Sequence, residues 1–96
     1  MNENYYVYFI TNKPKGTLYI GITHDLRKRI YQHKHKTIEG FSSKYSLTKL
    51  VYFEHYEDKW IAADRERKLK NWKRNWKIEL IEDHNPEWKD LYSSLF

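Results

Sequence analysis

Hydrophobic residues alternate with polar ones, or run together, in three stretches of this chain, and each stretch predicts a β-strand. The stretches cover residues 5–11, 17–22 and 49–56 and are rich in Tyr, Phe, Ile and Val. Asparagine, proline and glycine lie between the first two, and these are turn residues. The pattern therefore predicts a hairpin and, after a long crossover, a third strand.

Helical spacing of apolar residues marks the segments that follow the strands. The predicted helices cover residues 26–34, 59–72, 75–82 and 86–91, with Thr23 or Asp25 as the cap of the first and Asp58 as the cap of the second. Residues 36–47 are polar and predict a loop. Strands come early and helices late, so we predict an α+β fold with a small three-stranded sheet flanked by three to four helices.

Length and composition limit the possible classes of protein. The 96 residues indicate one domain over 1–96, and the absence of cysteine excludes disulfides, a thiolate zinc site and a cysteine nucleophile. The chain has neither a run of about 18 apolar residues nor a signal-peptide pattern. We therefore expect a soluble, cytoplasmic protein that does not associate with a membrane.

Positive charge is concentrated in two segments. The chain has 18 Lys and Arg against 13 Asp and Glu, a net charge of +5. Residues 26–38 hold basic side chains and no acid, and residues 65–78 hold a single acid, Glu66, among many basic side chains. Such a surface favours a polyanionic partner such as nucleic acid. The alternative is that these side chains are ordinary solvent-exposed residues on helix faces and bind no partner.

Two tyrosines of the predicted hairpin are candidates for chemistry. Side chains alternate along a strand, so Tyr8 and Tyr19 can share one face of adjacent strands. Arg29 follows one turn into the next helix, where a guanidinium can bind phosphate. His33 lies one further turn along the same helix face and can relay a proton. The structural alternatives are ordinary sheet aromatics and a solvated or half-buried histidine.

Glu66 is the one carboxylate of the second basic segment. It can act as a counter-ion in an i, i+4 pair with Lys70, or it can hold Mg²⁺, which prefers oxygen ligands and often takes one or two carboxylates. Trp72, Trp76 and Trp88 occur among cations and can stack on bases or fill the core. We predict a core position for Trp72. On the same helix, we predict that Ile61, Arg65, Leu69 and Trp72 lie on one stripe.

Taken together, these residues resemble the GIY-YIG nuclease superfamily over essentially the whole chain. The resemblance is to a small stand-alone bacterial member related to the nuclease domain of excision-repair endonucleases. The matching segments are Tyr6-Val7-Tyr8, Tyr19-Ile20-Gly21-Ile22-Thr23, Asp25-Leu26 with Arg29 and His33, Ala63, Arg65-Glu66, Leu69-Lys70, Trp72, Asn85-Pro86-Glu87-Trp88 and Asp90-Leu91.

This resemblance also has departures. Tyr6 replaces the first glycine of the family motif, and Ile22 stands where some repair endonucleases have lysine. The late asparagine of several family nucleases has three candidates here, Asn71, Asn75 and Asn85.

The resemblance implies an antiparallel three-stranded sheet and cleavage of phosphodiester bonds with one divalent ion, Mg²⁺ or Mn²⁺. It implies that Tyr8 and Tyr19 position the attacking water, Arg29 binds the scissile phosphate, His33 assists proton transfer and Glu66 holds the metal. For contacts to nucleic acid along the backbone we predict basic side chains from both segments: Arg27, Lys28, Lys70 and Lys73.

Three functions are therefore considered. The leading hypothesis is a metal-dependent endonuclease acting on DNA rather than RNA, in repair or nucleic-acid processing. Another repair protein is a candidate partner. The second is a nucleic-acid-binding module that uses the same groove without turnover. The third is a protein-interaction domain that docks its tryptophan-rich C-terminal helices on a partner.

Overall fold

The computed structural model describes residues 3–96 and arranges three strands in one antiparallel sheet. The strands are β1 (Tyr5–Thr11), β2 (Leu18–Thr23) and β3 (Lys49–Tyr56), in the order β2-β1-β3. β1 is therefore central, paired with β2 through the hairpin and with β3 on its other side. The predicted hairpin, the third strand and the antiparallel sheet are confirmed.

Four α-helices and a closing 3₁₀-helix surround the sheet. They are α1 (Leu26–Lys34), α2 (Phe41–Lys44), α3 (Lys59–Asn71), α4 (Arg74–His84) and the 3₁₀-helix (Leu91–Leu95). Asp25 and Asp58 cap α1 and α3 by accepting backbone N–H groups of the first turn, as expected. The predicted α+β class is confirmed. Within residues 3–96, every helix is too short or too polar to span a membrane.

Two local predictions were wrong. The chain does not form a helix over 86–91, because Trp88 is buried with a positive φ of 55°, and the final helical turn comes only after Asp90. The predicted loop 36–47 contains the one-turn helix α2. This helix has no side-chain cap, so the sequence carries no capping signal from which it could be predicted. Along the predicted stripe of α3, Leu69 is buried whereas Ile61 is 57% exposed, and Ala62 packs inside next to it.

The sheet has a hydrophobic cluster on each side, because alternate residues of β1 point in opposite directions. Val7 and Phe9 pack with residues of α3 and α4, together with Trp88. Tyr8 and Ile10 pack on the other side with residues of α1, and the 3₁₀-helix closes that side. Trp72 is half-buried against the first cluster, in agreement with its predicted core position.

A partly buried ion pair fixes α3 on the sheet. The Nε and Nη2 atoms of Arg65 each lie 2.9 Å from a carboxylate oxygen of Glu54 on β3. The hydroxyls of Tyr52 and Tyr56 donate to the same carboxylate at 2.6 and 2.7 Å. Burial raises the pKa of Glu54, but these hydrogen bonds together outweigh it and lower the pKa. Because Arg65 precedes Glu66, this contact sets the turn of α3 that carries Glu66.

Candidate active site

The side chain of Tyr8 lies over Gly21 at the centre of the hairpin. The two residues are direct partners in the antiparallel register, and a Cβ at Gly21 would overlap the Tyr8 phenol. Tyr19 lies two residues before Gly21 and therefore on the same face of the sheet. The Tyr8 and Tyr19 ring centroids are 6.4 Å apart. The prediction that both tyrosines share one face is confirmed.

His33 reaches these tyrosines from α1. Its Nε2 is hydrogen-bonded to the Tyr8 hydroxyl at 2.9 Å, and its ring centroid is 5.7 Å from that of Tyr19. Its Nδ1 is hydrogen-bonded to Ser42 Oγ on α2, also at 2.9 Å. The imidazole is only 3% exposed. The alternative of a solvated or half-buried histidine is therefore wrong, because both ring nitrogens have partners inside the fold.

Burial keeps both groups of this hydrogen bond neutral near pH 7. Burial, with a smaller effect from the Arg29 charge, lowers the pKa of His33 to about 4. Burial raises the pKa of Tyr8 well above its ordinary value, and the neighbouring Tyr19 adds to this rise. Arg29 acts on Tyr8 in the opposite direction, because a cation favours the phenolate. A neutral phenol thus meets a neutral imidazole.

Arg29 lines a polar cavity, and its charge acts on the phenol of Tyr8. The cavity has a volume of about 110 Å³, and its lining is Thr23, His24, Asp25, Lys28, Arg29 and Gln32. Asp25 is its one acid, and that carboxylate already accepts the backbone N–H of Lys28 as the α1 cap. Two cations therefore dominate the cavity, and its charge is suited to a phosphate group.

Glu66 approaches the site from α3. Its carboxylate is paired with Lys70 Nζ at 3.1 Å, the i, i+4 contact considered from the sequence, and its side chain is 18% exposed. Its negative charge contributes to the raised pKa of Tyr8, so the carboxylate is within electrostatic range of that phenol. The charge of Glu66 therefore reaches Tyr8, although Glu66 belongs to a helix on the other side of the sheet.

The donors near Glu66 are compatible with a single hard cation but not with a closed protein cage. Across residues 3–96 there is no group of three or more His, Cys, Asp or Glu side chains that could hold a metal ion. Mg²⁺ commonly binds one or two carboxylates and fills its remaining positions with water and substrate phosphates. A single carboxylate such as Glu66 is sufficient for that mode of binding.

The other predicted nucleic-acid contacts have intramolecular partners. Arg27 lies over the Phe96 ring at 5.2 Å, and Lys73 lies over the Trp76 ring at 5.4 Å. Of the four predicted basic residues, Lys28 alone lines the cavity with Arg29. The structure therefore brings Lys28 to the candidate site and leaves the roles of the others as predictions.

The sequence left the role of Asn85 open and gave no indication of a role for Ser42. Asn85, a candidate for the late family asparagine, is buried, and its amide donates to the carbonyls of Val51 and Lys89 at 3.0 and 2.9 Å. It therefore serves the fold. Ser42, by contrast, was missed as a site residue. A serine in a Ser- and Gly-containing segment gives no periodic signal, and only the folded chain brings it to His33.

Comparison with known proteins agrees with this geometry. Residues 4–79 match the model of the GIY-YIG catalytic domain. The chain belongs to the GIY-YIG family, as the resemblance indicated, and this membership implies endonuclease activity.

Several small proteins are similar to it over most of its length. A UPF0213 protein of Clostridium perfringens is 41% identical over 80 residues, covering 79% of this chain and 81% of the relative. A UPF0213 protein of Staphylococcus saprophyticus is 33% identical over 85 residues, covering 84% and 98%. The solution NMR structure of a UPF0213 protein from Bacillus halodurans superposes with a TM-score of 0.58 at 25% identity, covering 91% and 92%. Each of these relatives is matched over most of its own length.

Proposed function

We propose that this chain is a divalent-metal-dependent endonuclease that hydrolyses phosphodiester bonds in DNA, in repair or another nucleic-acid-processing pathway. The observation that carries the proposal is the hydrogen-bonded pair Tyr8–His33 beside the cationic cavity of Arg29. The charge of Glu66 acts on the same phenol. In this proposal Arg29 is the phosphate binder, His33 the proton acceptor and Glu66 the metal ligand, and the effects of Arg29 and Glu66 on the pKa of Tyr8 support it.

Arg29 is the phosphate-binding residue of this proposal. A guanidinium binds two phosphate oxygens at once and stabilises the negative charge that builds up in the transition state. Lys28, in the same cavity, adds a second cation. Arg27, Lys70 and Lys73 would contact the DNA backbone further from the scissile bond.

Tyr8 and His33 form the route for the proton of the attacking water. When Nδ1 of His33 carries the hydrogen and donates to Ser42, Nε2 accepts from the Tyr8 hydroxyl. Tyr8 can then take a proton from water while its own proton passes to His33. The depressed pKa of His33 leaves Nε2 unprotonated near pH 7, and because the same burial makes the imidazole a weak base, it would hold the proton only transiently. Tyr19, on the same face, helps to orient the water.

Glu66 is the proposed ligand of one Mg²⁺ or Mn²⁺ ion. Such an ion, when bound, orients the phosphate, offsets its charge and stabilises the leaving oxygen. For this to happen the Glu66 carboxylate has to exchange its contact with Lys70 for the ion.

Cleavage of labelled DNA tests the proposal. The panel contains single-stranded, duplex, flap and branched DNA, with Mg²⁺, with Mn²⁺ or with a chelator. We expect cleavage by the wild type only with metal, and a loss of about a hundredfold or more in Arg29→Ala and Glu66→Ala. Asp64→Ala is the matched control, because it removes a more exposed carboxylate from the same helix. Full cleavage by Arg29→Ala and Glu66→Ala would contradict the proposal.

A second candidate is a nucleic-acid-binding module without turnover. The observation that favours it is the Glu66–Lys70 pair, which already neutralises the carboxylate that a metal would need. This candidate predicts no cleavage with either metal, together with binding that weakens steeply as salt is raised.

A further inference from the structure

The one-turn helix α2 has two different sides. On the inner side, Ser42 is 6% exposed and holds His33 Nδ1 at 2.9 Å. On the outer side, Phe41 and Tyr45 are 49% and 45% exposed. Their ring centroids are 4.7 Å apart. The same turn of chain therefore positions the active-site histidine and presents a pair of aromatic rings to solvent.

Exposed aromatic rings alone do not indicate a binding site, because isolated ones are common on protein surfaces. Tyr31, Trp60, Trp76 and Phe96 are also exposed here. The pair on α2 differs in two ways: two exposed Phe and Tyr rings adjoin each other, whereas Trp76 and Phe96 adjoin partly buried rings, and its helix is directly bonded to His33. These two features select α2 among the exposed aromatic positions.

Charge around α2 favours a nucleic-acid strand as the occupant. Between Asp25 and Glu54 the chain has one acid, Glu39, and seven basic residues. Lys44 Nζ lies 5.5 Å from the centre of the Tyr45 ring, beside the proposed contact surface. A base placed on the rings would bring its flanking phosphates to these cations, and base–aromatic stacking accepts any base.

The rival aromatic surface is less suitable for nucleic acid. Trp72 and Trp76 line a surface cavity together with Glu79 and Asp83. Two carboxylates at this position would repel a phosphate backbone. In addition, Trp72 packs on the hydrophobic cluster of the opposite side of the sheet from Tyr8.

From these contacts we propose that Phe41 and Tyr45 form a stacking site for one unpaired base next to the scissile phosphate. The inference rests on the proposed nuclease function and adds a preference for substrates with unpaired nucleotides beside the cut. A base within a duplex is stacked on its neighbours on both faces and cannot offer a face to these rings. An unpaired base can, and stacking it would hold its phosphate next to Arg29 and His33.

Binding without cleavage tests this site. The full chain is titrated, in chelator and at fixed salt, into an oligothymidylate of about fifteen nucleotides with one 2-aminopurine, and into a matched duplex. For the double variant Phe41→Ala/Tyr45→Ala we expect single-strand affinity to fall about five- to a hundredfold, with loss of the 2-aminopurine quenching. Duplex affinity is expected to change less than about twofold, since the phosphate contacts remain. Trp76→Ala is the matched control and should change neither.

The outcomes separate this proposal from the nuclease proposal. Equal losses for single strand and duplex, an unchanged double variant, or a loss in Trp76→Ala instead would overturn the stacking site. Phe41→Leu/Tyr45→Leu keeps the apolar contacts of α2 and guards against misfolding, and it should lose the quenching as well. Selective loss of single-strand binding by a chain that cleaves nothing with metal would support the stacking site and overturn only the nuclease function.

Discussion

The phenol of Tyr8 occupies the space that a side chain at Gly21 would need. The two residues are partners across β1 and β2, and the Tyr8 hydroxyl, ring carbon and ring edge are the nearest atoms to a Cβ built at Gly21. Glycine is therefore required at this position by the neighbouring tyrosine, and not by its own backbone conformation. The glycine of the second motif thus allows Tyr8 to reach His33.

The first prediction concerns this contact. Gly21→Ala should lower the free energy of unfolding by about 1–3 kcal/mol, because the fully buried Tyr8 has little room to move. It should also weaken cleavage, because Tyr8 would be displaced from His33. Urea unfolding followed by circular dichroism measures the first effect.

A double-variant cycle identifies the cause. In a Tyr8→Leu background the added methyl of Gly21→Ala should cost much less, because the phenol is gone. Gly40→Ala is the control: its Cβ meets no atom within 4 Å, and its φ of +123° makes the cost purely one of backbone strain. The cost of Gly40→Ala should be the same with Tyr8 or Leu at position 8. An additive cycle for Gly21 would contradict the steric explanation.

Much of this arrangement could be predicted from local sequence patterns. The strands and the caps at Asp25 and Asp58 follow from periodicity and short-range hydrogen bonding, which are properties of neighbouring residues. The shared face of Tyr8 and Tyr19 follows from strand alternation alone. These parts of the site needed no knowledge of long-range packing.

Other parts of the site depend on contacts between distant segments. The deep burial of His33 needs Tyr8 on one side and Ser42 on the other, and neither contact is encoded near position 33. Trp88 adopts its positive φ while it is buried. Packing, and not local helix propensity, is therefore the reason that no helix forms over 86–91. Such features are visible only when the whole chain is folded.

The second prediction concerns the pH dependence of stability. The pKa of His33 is lowered to about 4, so the folded protein keeps the imidazole neutral while the unfolded chain protonates it near pH 6.5. The contribution of the neutral imidazole to stability is fully present above about pH 6.5. It is lost as the pH drops toward 4, which lowers the free energy of unfolding by about 3 kcal/mol in total. Denaturant unfolding across this range measures the effect.

His33→Gln isolates that contribution. Glutamine cannot titrate, so the variant should lose less stability than the wild type between pH 6.5 and 4, even if it is less stable at neutral pH. The carboxylates titrate in both proteins and cancel in the comparison. Parallel stability curves for the two proteins would show that His33 is not the buried neutral group inferred here.

The third prediction concerns the Glu54–Arg65 pair that fixes α3. Glu54→Gln should lower the free energy of unfolding by about 2–3 kcal/mol, because it leaves the half-buried guanidinium without its anion. Asp64→Asn removes a more exposed carboxylate of α3 that pairs with Arg67 and Lys68, and it should cost less than about 1 kcal/mol. Equal costs for the two variants, measured by urea unfolding, would refute the structural role of Glu54.

The fourth prediction concerns Lys70, whose Nζ lies 3.1 Å from a carboxylate oxygen of Glu66 and forms an ion pair with it. If Glu66 is the metal ligand, the lysine and the metal ion are two cations on one carboxylate, and they repel each other there. Lys70→Met removes the charge and keeps the apolar stem, so we expect the metal concentration for half-maximal cleavage to fall about two- to fivefold, as suits a partly exposed pair. A titration of cleavage against Mn²⁺ at saturating DNA measures this value.

Lys68→Met is the matched control, because Lys68 pairs with Asp64 on the same helix and not with Glu66. It should leave the metal requirement unchanged. Lys70 was also predicted to contact nucleic acid, and that role has a different signature: the DNA concentration for half-maximal cleavage would rise while the metal requirement stayed constant. A higher metal requirement in Lys70→Met would argue that the lysine supports the site, and that Glu66 binds the ion by a route other than simple exchange of one cation for another.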